Sequence, residues 1–335
     1  MEPTVEGDHL FMTNVIKALD EEGWHITFEY NYKGRQIHAF NPRIDIHKAF
    51  EPISSEGIAK WKSTIKRLKK LQTQYDLYVC FSASLEHALI GEEREAEYFW
   101  PLHMRRAKNT NICYYDQSMR WAGLTDKKYM GRGGEVYYPK GEHEFVKEYL
   151  KPYEDNFIIL WGLRGSMWQK AVYPLAEDVC NEFIRRHPET IVFTTGDEFC
   201  KKWEWYNPNV LHKAGIIPFR QALLMTRYVD LVIAPETGLG VGAGIFGTPK
   251  ILFLTSCSLK MVVGNDKNDY SLQSDAWCSP CTRAIYNTDN CDINPETKLP
   301  ICVDFDKGKI LDRMEEVYES RIPRNWEPCD KSVYV

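Results

Sequence analysis

Apolar positions along the chain recur with two periods. Leu10, Phe11, Val15, Ile16 and Leu19 follow helical spacing, which predicts an amphipathic helix ending near Gly23. Ile26-Thr27-Phe28-Glu29-Tyr30 then reads as a strand. A basic helix from about Glu56 to Gln74 and an apolar run, Leu77-Tyr78-Val79-Cys80-Phe81, repeat that order, so a parallel sheet wrapped by helices is expected. Glu92 to Gly123 is aromatic, basic and helical in character, and reads either as a cleft lining or as an ordinary helix pair over the sheet.

Between Tyr138 and Asp155 the chain turns polar around Pro139, Gly141 and Pro152, which predicts a domain boundary. The alternation then restarts. Strands are expected at Phe157–Trp161, Thr190–Thr194, Asp230–Ala234 and Lys250–Leu254, with helices at Pro174–Arg186, Pro218–Tyr228 and Leu239–Phe246 between them. That order is a doubly wound α/β domain, whose ligands sit outside the carboxyl ends of its strands. The loops after Trp161, Thr195 and Ala234 are therefore the ones that bear on chemistry.

Length and composition agree: 335 residues at roughly 150 per domain make about two domains. With 42 basic and 47 acidic residues the net charge is −5, which removes the broad positive footprint that nucleic-acid binding requires. The segment from Val229 to Leu254 is interrupted by Asp230, Glu236, Pro249 and Lys250, so no transmembrane helix is expected. The N-terminus does not resemble a signal peptide, and a cytoplasmic protein is expected. Most of the ten cysteines are then expected to be reduced thiols.

Four stretches carry candidate chemistry. Ala234 to Gly244 runs from a strand end into a glycine-rich helix start, where free N–H groups and the helix dipole suit a diphosphate. Its plain structural reading is close packing of small residues, with Glu236 or Thr237 as cap. After Trp161, a small-residue loop brings Ser166 and Lys170 to a second strand end, as phosphate ligands or as surface groups. Thr195-Gly196-Asp197-Glu198 offers a carboxylate to ribose hydroxyls, or a helix cap. Gly7-Asp8 opens the first helix, where Asp8 is either a general base or an N-cap.

In this order and with these gaps, the four stretches resemble glycosyltransferase family 9, the ADP-heptose:lipopolysaccharide heptosyltransferases and their relatives. The likeness is best from about Asn156 to Ile310 and includes Arg220-Gln221-Ala222, Glu236-Thr237-Gly238-Leu239, Thr248-Pro249-Lys250 and the Cys278-Ser279-Pro280-Cys281 region. Gly7-Asp8, Asn41-Pro42 and Ile44-Asp45 extend it into the first half. The resemblance implies an α/β GT-B fold of two facing Rossmann-like domains. Residues 1–150 would form the acceptor-side domain, either alone or with 316–335 packing back on it, and 151–315 the donor-binding domain.

It also implies roles. Asp8 matches the catalytic base, Lys170 the lysine on the donor diphosphate, and Glu198 the carboxylate near the ribose. Glu236 stands where an Asp usually contacts the donor sugar, and Thr237, Gly238 and Leu239 match the phosphate cradle. Ser166 joins these donor contacts from the residue pattern of its loop alone. The implied activity is inverting sugar transfer, heptose or similar, from a nucleoside-diphosphate sugar, with an ADP-sugar favoured. The acceptor would be a glycan or glycolipid hydroxyl, with no cofactor required, no nucleic acid, and at most peripheral contact with the inner membrane. The rival reading is a non-catalytic nucleotide-sugar or glycan binding protein on the same scaffold, and a third is a nucleotide-sugar epimerase.

The chain departs from the family pattern at Val241, where a His is usual, and in the spacing of Lys170 to Tyr173-Pro174. Met1 to Glu6 also lacks the apolar strand that usually precedes Gly-Asp, so the first domain is expected to be one strand short or to fill that place from elsewhere in the chain. Cys278, Cys281, Cys291 and Cys302 read as a structural zinc site, or as free thiols or a labile disulfide.

Overall fold

The computed structural model describes residues 6–30, 32–49, 66, 69–79, 101–109, 111–165, 172–264, 266–282, 291–321, 323–324 and 326. The first half begins with helix α1 (Glu6–Glu21), followed by β1 (Thr27–Tyr30), α2 (Tyr32–His38) and β2 (Ile46–Ala49). Helix α1 ends where the periodicity predicts, with Gly23 at φ +82° just beyond it, a conformation that costs glycine little. β1 and β2 pair in parallel, Thr27 opposite Ile46. Helices α3 (Leu102–Asn109) and α4 (Tyr114–Trp121) follow. The expected strand at 77–81 is not found over Leu77–Val79, and Cys80 and Phe81 lie outside the described residues, as does most of the basic helix. Among the described residues β2 is the strand that pairs with β1.

Within the stretch read as a domain boundary lies helix α5 (Lys140–Leu150). Pro139 is its N-cap, and His143, Val146 and Leu150 form a buried stripe at helical spacing. The prolines and the glycine there punctuate the helix ends without excluding a helix between them.

The second half holds β3 (Phe157–Gly162), α6 (Ala176–Arg186), β4 (Thr190–Thr195), β5 (Val210–His212), α7 (Phe219–Met225), β6 (Leu231–Pro235), α8 (Gly238–Phe246), β7 (Lys250–Leu254), α9 (Leu259–Val262), β8 (Leu272–Gln273) and α10 (Lys307–Glu319). Its sheet runs β5-β4-β3-β6-β7-β8, with every pair parallel. In chain order that is 3-2-1-4-5-6, the Rossmann order, and its switch point lies between β3 and β6. The central strands read as continuous apolar runs because both faces are covered, and all six residues of β3 are buried.

One face of the sheet, with Phe157, Ile159, Trp161, Ile233 and Phe253, packs on α6 and α10. The other, with Ile158, Leu160, Val232 and Leu252, shares a single core with Leu10 and Phe11 of α1, Val146 of α5 and Val241 of α8. The two halves are therefore joined by apolar packing as well as by the chain. Val241 is buried in that shared core, where a valine is easily accommodated and a polar ring would need a partner. The end of the chain returns toward the sheet: Arg321 donates to the buried Asp230 at 3.1 Å, and Trp326 stacks on Tyr228. No described helix is long and apolar enough to cross a membrane.

Candidate functional site

At the switch point, β6 ends in Pro235 and α8 begins at Gly238 with Thr237 as N-cap. The N–H groups of Gly240 and Val241 both return to the Thr237 carbonyl, at 3.1 and 3.3 Å, which leaves those of Gly238 and Leu239 outside the helical ladder. The Thr237 hydroxyl is buried and makes no hydrogen bond among the described residues. The Leu239 side chain is buried, and a Cβ on Gly162 at the end of β3 would stand 3.2 Å from it. Leu239 thus presents only backbone to a ligand. Gly240, Gly242 and Gly244 let α8 pack closely on Leu252, Leu223 and the Lys250–Asp266 pair, so the small-residue reading holds for this part of the motif.

Gly238 serves a different approach. A Cβ there would lie 2.9 Å from the Phe219 ring and 3.3 Å from the Gly7 backbone nitrogen. The first turn of α1 and the first turn of α8 therefore meet, and the positive ends of two helix dipoles face one region at the carboxyl edge of the sheet. Asp8 is the third residue of α1, adjacent to this contact, and is only partly exposed. It sits inside the helix and is not its N-cap.

Glu236 is committed to the protein. Oε1 accepts the backbone N–H groups of Thr255, Ser256 and Cys257, the last two at 2.8 and 3.0 Å, and Oε2 accepts the Ser256 hydroxyl at 2.6 Å. Burial pushes its carboxyl above the usual range, against the pull of the Ser256 hydroxyl and those three amides. It ties the end of β6 to the loop after β7.

At the end of β4, Glu198 is exposed, pairs with Lys201 at 2.6 Å and lies against Gly215, which has φ +69°. A residue that the sequence reading passes over is Arg164, just beyond β3. It donates to Asp197 at 2.8 Å and lies over the Phe199 ring. Phe199 and Ile216 are 70% and 62% exposed, unusual for large apolar side chains at strand ends. Their signal is positional: both follow strands whose carboxyl ends line the same edge. Ser166 and Lys170 lie outside the described residues.

Asn41 and Asp45 are structural. The Asn41 side chain accepts the Arg43 N–H, and Asp45 accepts the Ile26 N–H at 2.6 Å. Lys250 is buried and paired with Asp266. Among the described residues no group of three or more His, Cys, Asp or Glu side chains is gathered as a metal site, Cys278, Cys281, Cys291 and Cys302 included. Burial first, and then the thiols of Cys278, Cys281 and Cys291, push the Cys302 thiol up. Arg106 of α3 donates to the carbonyls of Trp277, Ser279 and Pro280 in the same turn, at 2.7 to 3.0 Å.

No protein-family model matches the chain, and no curated protein matches it by sequence. Solved structures do share its fold. A glycosyl transferase family 9 protein from Veillonella parvula superposes with a TM-score of 0.64 at 12% identity, covering 94% of each chain. The ADP-heptose LPS heptosyltransferase II of E. coli gives 0.60 at 13% identity, over 95% of this chain and 97% of that one. The iron-containing dodecameric glycosyltransferase TibC from enterotoxigenic E. coli gives 0.54 at 10% identity, over 94% and 74%. The α/β GT-B fold expected from the sequence is the fold observed.

Proposed function

We propose that this protein is an inverting glycosyltransferase that moves a sugar, heptose or similar, from a nucleoside-diphosphate sugar to a glycan or glycolipid hydroxyl. The observation that carries this reading is the meeting of Gly7 and Gly238, which puts a carboxylate on one helix start beside an anion-binding turn on another. Asp8 takes the proton of the acceptor hydroxyl as its oxygen attacks the anomeric carbon. The bond from that carbon to the diphosphate breaks on the opposite face, and the leaving group keeps the electron pair. The Gly238 and Leu239 N–H groups and the Thr237 hydroxyl receive the charge that develops on the diphosphate, together with Ser166 and Lys170 from the loop after β3.

Glu198 stands at the ribose, and Phe199 and Ile216 offer an apolar seat for the base. Glu236 acts on the donor indirectly, by fixing the loop over residues 255–257 that closes the same edge. An ADP-sugar is the favoured donor, since the E. coli protein of like fold is named for ADP-heptose. A domain division near residue 150 fits a donor half built on the six-stranded sheet, with α1 contributed from the acceptor half.

A thermal-shift and calorimetric screen against ADP-, GDP-, UDP- and dTDP-sugars, followed by donor consumption with and without acceptor, tests the reading. A stabilising donor that is consumed only with a hydroxyl acceptor supports it. Tight binding without turnover points instead to the binding-protein alternative, and release of an epimerised sugar without acceptor to an epimerase.

A further inference from the structure

Arg220 is the second residue of α7 and only 14% exposed, yet nearly everything it touches belongs to the other half of the chain. Its Nε donates to both carboxylate oxygens of Glu142 in α5, at 3.1 and 2.8 Å. Nη1 donates to the Gln36 carbonyl of α2, and Nη2 to the Tyr137 carbonyl at 2.9 Å. The guanidinium also lies over the rings of Tyr138 and Phe40, with centroids at 4.3 and 4.9 Å. Its neighbour Phe219 is the ring against Gly238, so two consecutive residues reach the anion-binding turn and the first half of the chain.

The link continues to Asp8. Helix α2 packs on α1, and a Cβ on Gly34 of α2 would clash with the His9 ring, next to Asp8. We infer that Arg220 is a positioning residue that fixes α2, and through it Asp8, at the working distance from the Thr237–Gly238 turn. The inference rests on the transferase reading above. Only a planar fork satisfies this set of partners, because three nitrogens are aimed in different directions while the face stacks on two rings. A lysine keeps the charge and loses the geometry. Arg220 is not among the residues that the proposed mechanism puts on the nucleotide, so its loss should act on the chemical step and spare donor affinity.

Arg220→Lys and Arg220→Gln are compared with the full-length wild type in three measurements: nucleotide Kd by calorimetry, kcat for transfer, and hydrogen exchange. The inference predicts Kd within about twofold, and kcat lower by about tenfold or more because misplacement of reacting groups by about 1 Å costs on that order or beyond. Amides of α1 and α2 should exchange faster while those of β3 and β4 keep their protection. Glu142→Gln, which leaves Arg220 in place, should shift the same readouts in the same direction by less. Unchanged exchange in α1 and α2, unchanged kcat in the folded variants, or equal losses in Kd and kcat would each overturn the inference. Should the wild type turn over no nucleotide sugar, the transferase reading falls by that result, and the exchange pattern alone still decides whether Arg220 couples the two halves.

Discussion

The carboxylate of Glu236 accepts both the backbone N–H of Ser256, at 2.8 Å, and its hydroxyl, at 2.6 Å. A side chain at one strand end thus organises the loop of the next. Glu236→Ala removes the acceptor for three backbone N–H groups and one hydroxyl, and unsatisfied buried donors cost about 1–3 kcal/mol each before water enters. The expected loss is about 3 kcal/mol in urea unfolding, with weaker donor binding because the loop is freed. A variant as stable as the wild type would contradict this role.

The contact of Gly238 with Phe219 and Gly7 leaves no room for a side chain. Gly238→Val should push the two helix starts apart. Overpacking of this kind costs about 1–3 kcal/mol. Nucleotide affinity, read by calorimetry, should fall by at least about tenfold, since a tenfold change needs only about 1.4 kcal/mol. Wild-type affinity in this variant would mean that the diphosphate does not sit here.

The central strands were legible because a strand covered on both faces is a continuous apolar run, as in Phe157–Gly162 and Leu231–Pro235. The edge strands β5 and β8 were not, being three and two residues long with no pattern to read. Helix α5 was hidden by Pro139, Gly141 and Pro152, although His143, Val146 and Leu150 already had helical spacing. Site candidates at strand ends were legible from type and position, whereas their partners were not. The Glu236 hydrogen bonds reach 19 to 21 residues along the chain, and those of Arg220 reach 78 to 184. Nothing local in a sequence encodes such pairings.

Burial, and then Arg227, Lys147 and Arg220, push the imidazole of His143 down to about 4; its Nδ1 is 2.6 Å from the Tyr228 hydroxyl. The unfolded chain takes up this proton near pH 6.5 and the native protein only near 4, so acidification across that window favours unfolding. His143 should account for a loss of about 2 kcal/mol between pH 7 and pH 5. His38, shifted in the same direction chiefly by burial, adds to the slope, so the share of His143 is the difference between wild type and His143→Gln. Equal slopes in urea unfolding would contradict this assignment.

Lys250 is 1% exposed, and its ammonium donates to Asp266 and to the Gly240 carbonyl, the latter at 3.3 Å. Asp266→Ala strands a buried cation and should cost about 3–5 kcal/mol, whereas Lys250→Met leaves Asp266 with access to water and should cost clearly less. Chemical unfolding of the two variants side by side checks the order. Equal costs would show that the pair is worth no more than its packing.

The most direct test of the central claim is single-turnover sugar transfer by Asp8→Ala, with donor Kd measured on the same preparation. Removing a general base should slow the chemical step by about 10²–10⁴-fold. Donor Kd should stay within about twofold, because the proposed mechanism assigns the diphosphate to the Thr237–Leu239 turn and not to the carboxylate. Transfer at the wild-type rate in Asp8→Ala would contradict the account.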